Sequence, residues 1–185
     1  MVYSLVLDRA RRRLARMAGR FVRAEQGATA VEFAIVAIPF LMLIFALLEL
    51  GLVFLVSLTL ESAVIDVGRT IRTGQVQTTG GTAASFKTAV CNKMNWLGAT
   101  TCSGALQIDV RTFSDFATSN TSATNNTVPT SMAWNPGAGG SIVLVRAYYT
   151  WPLITPLLQT GLQNSSGKRV IYAATAFTNE PYDEQ

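Results

Sequence analysis

The sequence predicts an α+β protein in which a long N-terminal helix packs on a small antiparallel sheet with a further helix. Three observations support this fold class: an apolar run long enough to cross a membrane, a helical stripe that continues beyond it, and strand-like segments in the C-terminal half. We therefore expect the first half of the helix to be transmembrane and its second half to be amphipathic.

The apolar run is uninterrupted from Phe33 to Leu48 and resumes after Glu49 as far as Val56. A helix needs about 20 mostly apolar residues to cross a hydrocarbon layer of roughly 30 Å. The sequence therefore predicts a single transmembrane helix, which we place at residues 28–57. Glu49 has two interpretations: a carboxylate hydrated at the outer interface, or a contact with a partner helix in the membrane.

The charge is concentrated before the apolar run. Residues 1–27 hold seven arginines against Asp8 and Glu25, a net charge of +5, whereas residues 28–185 carry −1. The basic whole-chain charge therefore does not indicate nucleic-acid binding. Positive charge beside a membrane helix stays in the cytoplasm, which predicts a cytoplasmic N-terminus and a C-terminal body outside. The alternative is a secretory signal peptide, which usually has a shorter apolar region followed by a small-residue cleavage site. The apolar run of this chain is longer and meets Glu49 instead.

A helical stripe follows the apolar run. Leu60, Val64, Val67 and Ile71 recur at intervals of three and four residues, and the pattern stops before Gly74, a residue typical of helix ends. We expect one helix from about residue 30 to 73 whose second half packs this stripe against the outer body.

The body after residue 74 predicts one further helix and a sheet. Residues 82–97 have a helical stripe. The Ser-, Thr- and Asn-rich segment 117–140 predicts an exposed loop that is either flexible or pinned by Trp134 and Met132. Strand patterns occur in three segments: 106–111, 142–151 and 170–177. We expect the last two to pair antiparallel, joined by a short irregular or helical connector at 151–158.

Cys91 and Cys102 both fall in the body that we expect outside the cytoplasm. In an oxidising compartment such a pair predicts a disulfide that closes a short loop. This disulfide would tie the second helix to the first strand. The alternative is two buried free thiols.

The composition argues against an enzyme. The chain has no histidine, which excludes His-based catalysis and most zinc sites, and it has no Gly-rich phosphate loop. We predict neither a cofactor nor a metal. Asp109 and Asp115 are interpreted as surface carboxylates. Four aromatic residues are assigned to the sheet face and core, with an exposed binding patch as the alternative: Tyr148, Tyr149, Trp151 and Tyr172.

The start of the apolar helix carries a more specific pattern. Gly27 is followed five residues later by Glu32, then by Phe33 and the apolar run. This arrangement resembles the processing site of type IV prepilins. The segments E-Q-G-A-T-A-V-E-F-A-I-V and L-L-E-L-G-L-V-F, with residues 145–153 and 176–182, resemble TadE-like minor pseudopilins of tight-adherence (Flp-type) pilus systems.

The resemblance implies a pilin-like fold and a structural role in the bacterial inner membrane. Prepilin peptidase would remove the leader 1–27 and expose Ala28, leaving an extracytoplasmic domain at 58–185. The implied partners are pilin or pseudopilin subunits, the inner-membrane assembly platform and membrane lipid. The protein would initiate, prime or cap an adhesive pilus, and its own entry into the fibre is left open.

The resemblance also gives residue roles. Glu32 would pair with the Ala28 amine of a neighbouring subunit, and Phe33 and Glu49 would contribute helix contacts. The alternative for Glu32 is an interfacial carboxylate favoured by the helix dipole. The alternative for the whole protein is an unprocessed single-pass scaffold of a secretion or envelope complex. An anchored hydrolase has little residue support.

Overall fold

The computed structural model describes residues 25–123, 128–164 and 166–182. The arginine-rich part of the predicted leader, residues 1–24, lies outside these ranges. By its contacts the chain divides into two units, residues 1–47 and 48–185. In the first unit the described residues are helical throughout, and their large apolar side chains are mostly exposed.

Helix α1 spans Glu25–Arg72 and continues through Pro39. Its segment from Thr29 onward is long enough and apolar enough to cross a membrane. The predicted start at residue 30 lies five residues inside the observed helix. The helix ends where predicted because Gly74 adopts a left-handed conformation (φ 75°) and donates its N–H to the Ile71 carbonyl.

The second unit is an α+β domain, which confirms the predicted fold class. Its elements after α1 are, in chain order, α2 (Gln75–Thr78), α3 (Ala83–Lys93), a short 3₁₀ helix (Asn95–Leu97), α4 (Ala99–Ala105), β1 (Leu106–Phe113), α5 (Phe116–Ala123), β2 (Ile142–Pro152), α6 (Pro156–Leu162) and β3 (Lys168–Thr178). The sheet has three antiparallel strands in the order β1-β2-β3. The predicted pairing of the last two strands is confirmed.

The core lies between the second half of α1 and one face of the sheet. The predicted stripe, Leu60, Val64, Val67 and Ile71, is buried there together with Val56. The inner face of the sheet supplies alternate residues of each strand: Ile108, Val110, Val143, Val145, Ala147, Tyr149, Ile171 and Ala173. Helix α3 closes the side of this core with Phe86 and Val90.

Helix α3 starts at a capping box, since Thr82 and Ser85 each accept a hydrogen bond from the other's backbone N–H. Cys91 on α3 and Cys102 on α4 form a disulfide, and both side chains are buried. The sequence predicted a link from this helix to the first strand, whereas the disulfide joins two helices. Since α4 leads directly into β1, the link still fixes the start of that strand.

The segment 117–140, predicted as an exposed loop, contains part of a helix and a backbone bridge to β1 among its described residues. Helix α5 occupies its start, because the Asp115 carboxylate caps the Thr118 N–H at 2.7 Å. Trp134 fixes its later part: the backbone around it pairs with Val110, and its indole N–H donates to the Gly81 carbonyl at 3.2 Å. Residues 124–127 lie outside the described ranges.

Candidate membrane and assembly interface

The predicted processing residues lie in the first turns of α1. Gly27 is half-buried and Ala28 follows it in helical conformation. Glu32 and Phe33 are exposed, one turn further along. The first four N–H groups of a helix have no intrahelical partner, so this end carries a partial positive charge suited to a carboxylate. Glu32 lies seven residues past Glu25, beyond the first turn to which this effect is confined, so the charge of the helix end does not account for its position.

The surface of α1 is apolar over a long stretch. From Val31 to Leu58 the large hydrophobic side chains are exposed at most positions. A soluble protein rarely leaves a contiguous apolar surface of this extent in water. The helix is therefore compatible with a single-pass membrane protein.

Glu49 occupies a defined site within the second unit. Its side chain is 5% exposed, and its two carboxylate oxygens accept the backbone N–H groups of Ile154 (2.6 Å) and Thr155 (2.7 Å). The Trp151 indole N–H also faces this carboxylate, although it forms no well-aligned hydrogen bond. Neither interpretation from the sequence included this intrachain contact.

The two N–H groups that Glu49 binds precede helix α6. Thr155 is the N-terminal cap of α6, and Pro156 begins the helix. Proline suits this position because its ring fixes the helical φ and its missing N–H would have no partner there. The negative charge of Glu49 at this helix end is favoured by the helix dipole. Glu49 thus anchors the connector between β2 and β3 to α1.

A second buried carboxylate lies on the other face of the sheet. Asp109 is fully buried, so the interpretation as a surface carboxylate was wrong. It accepts hydrogen bonds from the Arg146 guanidinium on the neighbouring strand, from Arg111 Nε (3.1 Å) and from the Ala133 N–H (2.8 Å). Asp115, in contrast, is exposed as predicted.

The protonation state of this cluster is fixed near neutral pH. Burial raises the pKa of the Asp109 carboxyl, but hydrogen bonds from the Ala133 N–H, Arg146 and Arg111 outweigh it and hold that pKa below its ordinary value. Burial, reinforced by the nearby Tyr148 phenol, raises the pKa of Tyr172 to about 12. Both shifts lead away from neutrality, which indicates structural rather than acid–base roles.

The aromatic residues divide between the two faces of the sheet. Tyr149 belongs to the core and Trp151 packs against it, whereas Tyr148 contacts Tyr172 on the opposite face with ring centroids 5.2 Å apart. Tyr148 and Tyr149 are both almost fully buried. Among the described residues, no group of three or more His, Cys, Asp or Glu side chains is placed to hold a metal ion.

Comparison with protein families gives a match to the N-terminal part of the chain. The model of the TadE-like protein family matches residues 27–69. This segment is TadE-like. The match begins at Gly27, covers both Glu32 and Glu49, and ends within the buried stripe of α1. Comparisons with curated proteins and with solved structures gave no significant match.

The TadE-like match agrees with the resemblance to TadE-like proteins seen in the sequence. This family is a family of pilus-associated structural proteins. The matched segment contains the exposed apolar surface of α1 and the Glu49 anchor. The sheet, the disulfide and the Asp109 cluster lie outside it.

Two features of this region were not predicted from the sequence. The first is the pair of backbone donors at Ile154 and Thr155, for which the only signal was a Thr–Pro step typical of a helix start. The second is the burial of Asp109. Strand alternation places its side chain opposite the core and gives no sign of its hydrogen bonds with Arg146, Arg111 and the Ala133 N–H.

Proposed function

We propose that this protein is a TadE-like minor pseudopilin that helps to initiate, prime or cap a tight-adherence pilus. The observation that carries the proposal is the family match over residues 27–69, which begins at Gly27 and includes Glu32 and the apolar helix. The exposed apolar surface of α1 supports insertion in a membrane. An assembled pilus would use the same surface for packing between subunits.

Maturation by prepilin peptidase after Gly27 is part of this proposal. Cleavage would leave Ala28 as the N-terminus and Glu32 within the first turns of the helix. The N-terminus would be cytoplasmic before cleavage, and the α+β domain would lie in the periplasm. An oxidising periplasm is consistent with the Cys91–Cys102 disulfide.

A second candidate is the unprocessed single-pass scaffold. One observation favours it: the Gly27–Ala28 bond lies inside α1, in helical conformation. A peptidase would have to act on this bond after the first turn has opened. Terminal turns open at little cost in free energy, so the helical conformation does not prevent cleavage.

Substitution of Glu32 tests the assembly role. Glu32→Ala is expected to leave membrane insertion unchanged and to reduce the amount of pilin in sheared fibres severely. The physical reason is the loss of a carboxylate that would pair with the Ala28 amine of a neighbouring subunit. Insertion is measured by membrane fractionation and carbonate extraction of the same cells.

Glu61→Ala is the matched control, because Glu61 is an exposed carboxylate on the same helix, outside the apolar run. Normal fibre yield in the Glu32→Ala strain would contradict the pairing role. Equal loss in both strains would show that the defect follows from removing an α1 carboxylate in general.

A further inference from the structure

The connector between β2 and β3 exposes large apolar side chains. Ile154 is 78% exposed and Leu157 is 55% exposed, although the backbone between them is well fixed. The Leu153 N–H donates to the Gly167 carbonyl, and the Gln159 side-chain amide donates to the Leu153 carbonyl at 2.8 Å. The side chains of Ile154 and Leu157 therefore point outward from a backbone that is held in place by hydrogen bonds.

An apolar groove of about 590 Å³ adjoins Ile154. Aromatic and aliphatic residues from three elements line it, with one lysine among them: Trp96, Leu97, Tyr149, Trp151, Ile154 and Lys168. Trp96 is 42% exposed, although tryptophan is highly buried on average. Tryptophan is enriched where a membrane meets water, and lysine there extends its amine toward the water.

The hydrogen bonds of Glu49 fix the position of the connector along the axis of α1. They hold Ile154 and Thr155 beside residue 49, and exposed apolar side chains of α1 continue past that level to Leu58. Nine residues of helix correspond to about 13 Å along the axis. The connector thus contacts α1 where the helix surface is still apolar on its C-terminal side.

We propose that the connector docks on the outer surface of the phospholipid bilayer, with Ile154, Leu157 and Trp96 inserted among the lipids. This proposal rests on the proposed function, in which α1 crosses the membrane. A bilayer is the occupant that fits, because Glu49 holds the connector at a level of α1 where the exposed side chains of the helix are apolar on both sides, including Leu48 and Leu50. The Glu49 carboxylate enters this region with both oxygens hydrogen-bonded, which lowers the cost of burying it.

The test measures depth in the membrane with single spin labels on the full-length protein. The protein is placed in nanodiscs of phosphatidylethanolamine and phosphatidylglycerol, with the native disulfide intact. Labels are attached to Ile154→Cys, to Leu43→Cys in the middle of the apolar run, and to Thr88→Cys on the exposed face of α3. Collision with oxygen, which concentrates in lipid, is compared with collision with a water-soluble nickel chelate.

The proposal predicts an oxygen-to-nickel ratio at position 154 that is several-fold above the ratio at position 88 and below that at position 43. Equal ratios at positions 154 and 88, with position 43 deep in lipid, would overturn it and leave the transmembrane helix intact. A nickel-accessible label at position 43 would refute the transmembrane helix, and the docking proposal with it.

A second copy of the chain is the competing occupant. In that case a label at position 154 would be shielded from both reagents and would show dipolar broadening that disappears on dilution with unlabelled protein. That outcome would also overturn the proposal. Ile154→Glu supplies an independent measurement, since a carboxylate in place of the inserted side chain should lower the depth of a label at position 157.

Discussion

At the scale of single residues, Asp109 fixes the outer face of the sheet. Its carboxylate bridges Arg146 on β2 and Arg111 on its own strand, and it also holds residues 131–134 through the Ala133 N–H. Removal of one member of a buried ion pair is costly because the other charge stays buried. Asp109 therefore contributes to stability mainly by compensating Arg146.

Asp109→Asn is expected to destabilise the protein by about 3 kcal/mol, since it removes the buried charge with which the Arg146 guanidinium pairs. The measurement is the free energy of unfolding of the full-length protein in detergent at pH 7. Asp115→Asn is the matched control, because Asn caps a helix about as well as Asp. A loss no larger than that of the control would contradict this role.

The lowered pKa of Asp109 also predicts how the stability of the protein responds to acid. Because the folded pKa of Asp109 lies below its ordinary value of 3.8, the carboxylate contributes stability at neutral pH that is lost as pH falls through the folded pKa. The stability of the unmodified protein should therefore decline below about pH 4. Asp109→Asn should flatten this part of the profile, and an unchanged profile would refute the assignment.

At the scale of elements, the Cys91–Cys102 disulfide joins helix α3 to helix α4. It closes a loop with a sequence separation of 11 residues. In the chain-entropy model, a loop of this size limits the freedom of the unfolded chain. The link also fixes the start of β1, which follows α4 directly.

Replacement of both cysteines by serine should lower the free energy of unfolding by about 2–3 kcal/mol. Reduction of the unmodified protein should produce a similar loss, whereas reductant should not affect the double variant further. Denaturant titration with and without dithiothreitol measures all four states. An unmodified protein that is insensitive to reduction would contradict the stabilising role.

Elements whose apolar residues recur with a regular period were predictable from the sequence, whereas elements marked only by a helix cap were not. The stripe from Leu60 to Ile71 and the alternation in β1 each correspond to a face in the core, and the largely apolar run of β2 corresponds to a strand that is buried on both faces. Helix α5 has no such stripe, so only the Asp115 cap marks its start. The Asp109 cluster was missed for a related reason: its burial depends on residues about 24 positions later in the chain.

At the scale of the whole molecule, each unit uses apolar surface differently. The described part of residues 1–47 exposes it, as a membrane or a pilus core requires, whereas residues 48–185 bury a large part of it between α1 and the sheet. Hydropathy alone predicted the first use, and periodicity predicted the second. The contact that anchors the connector to α1 required the structure, because Glu49 and Thr155 are separated by 106 positions.

The proposal that the chain is a processed TadE-like pseudopilin is tested by the N-terminal sequence and intact mass of the protein from its native membrane. We predict a chain that begins at Ala28, with a mass two hydrogens below the reduced value because of the Cys91–Cys102 disulfide. A chain that retains residues 1–27, in cells whose peptidase processes other prepilins, would contradict the claim and favour the unprocessed scaffold.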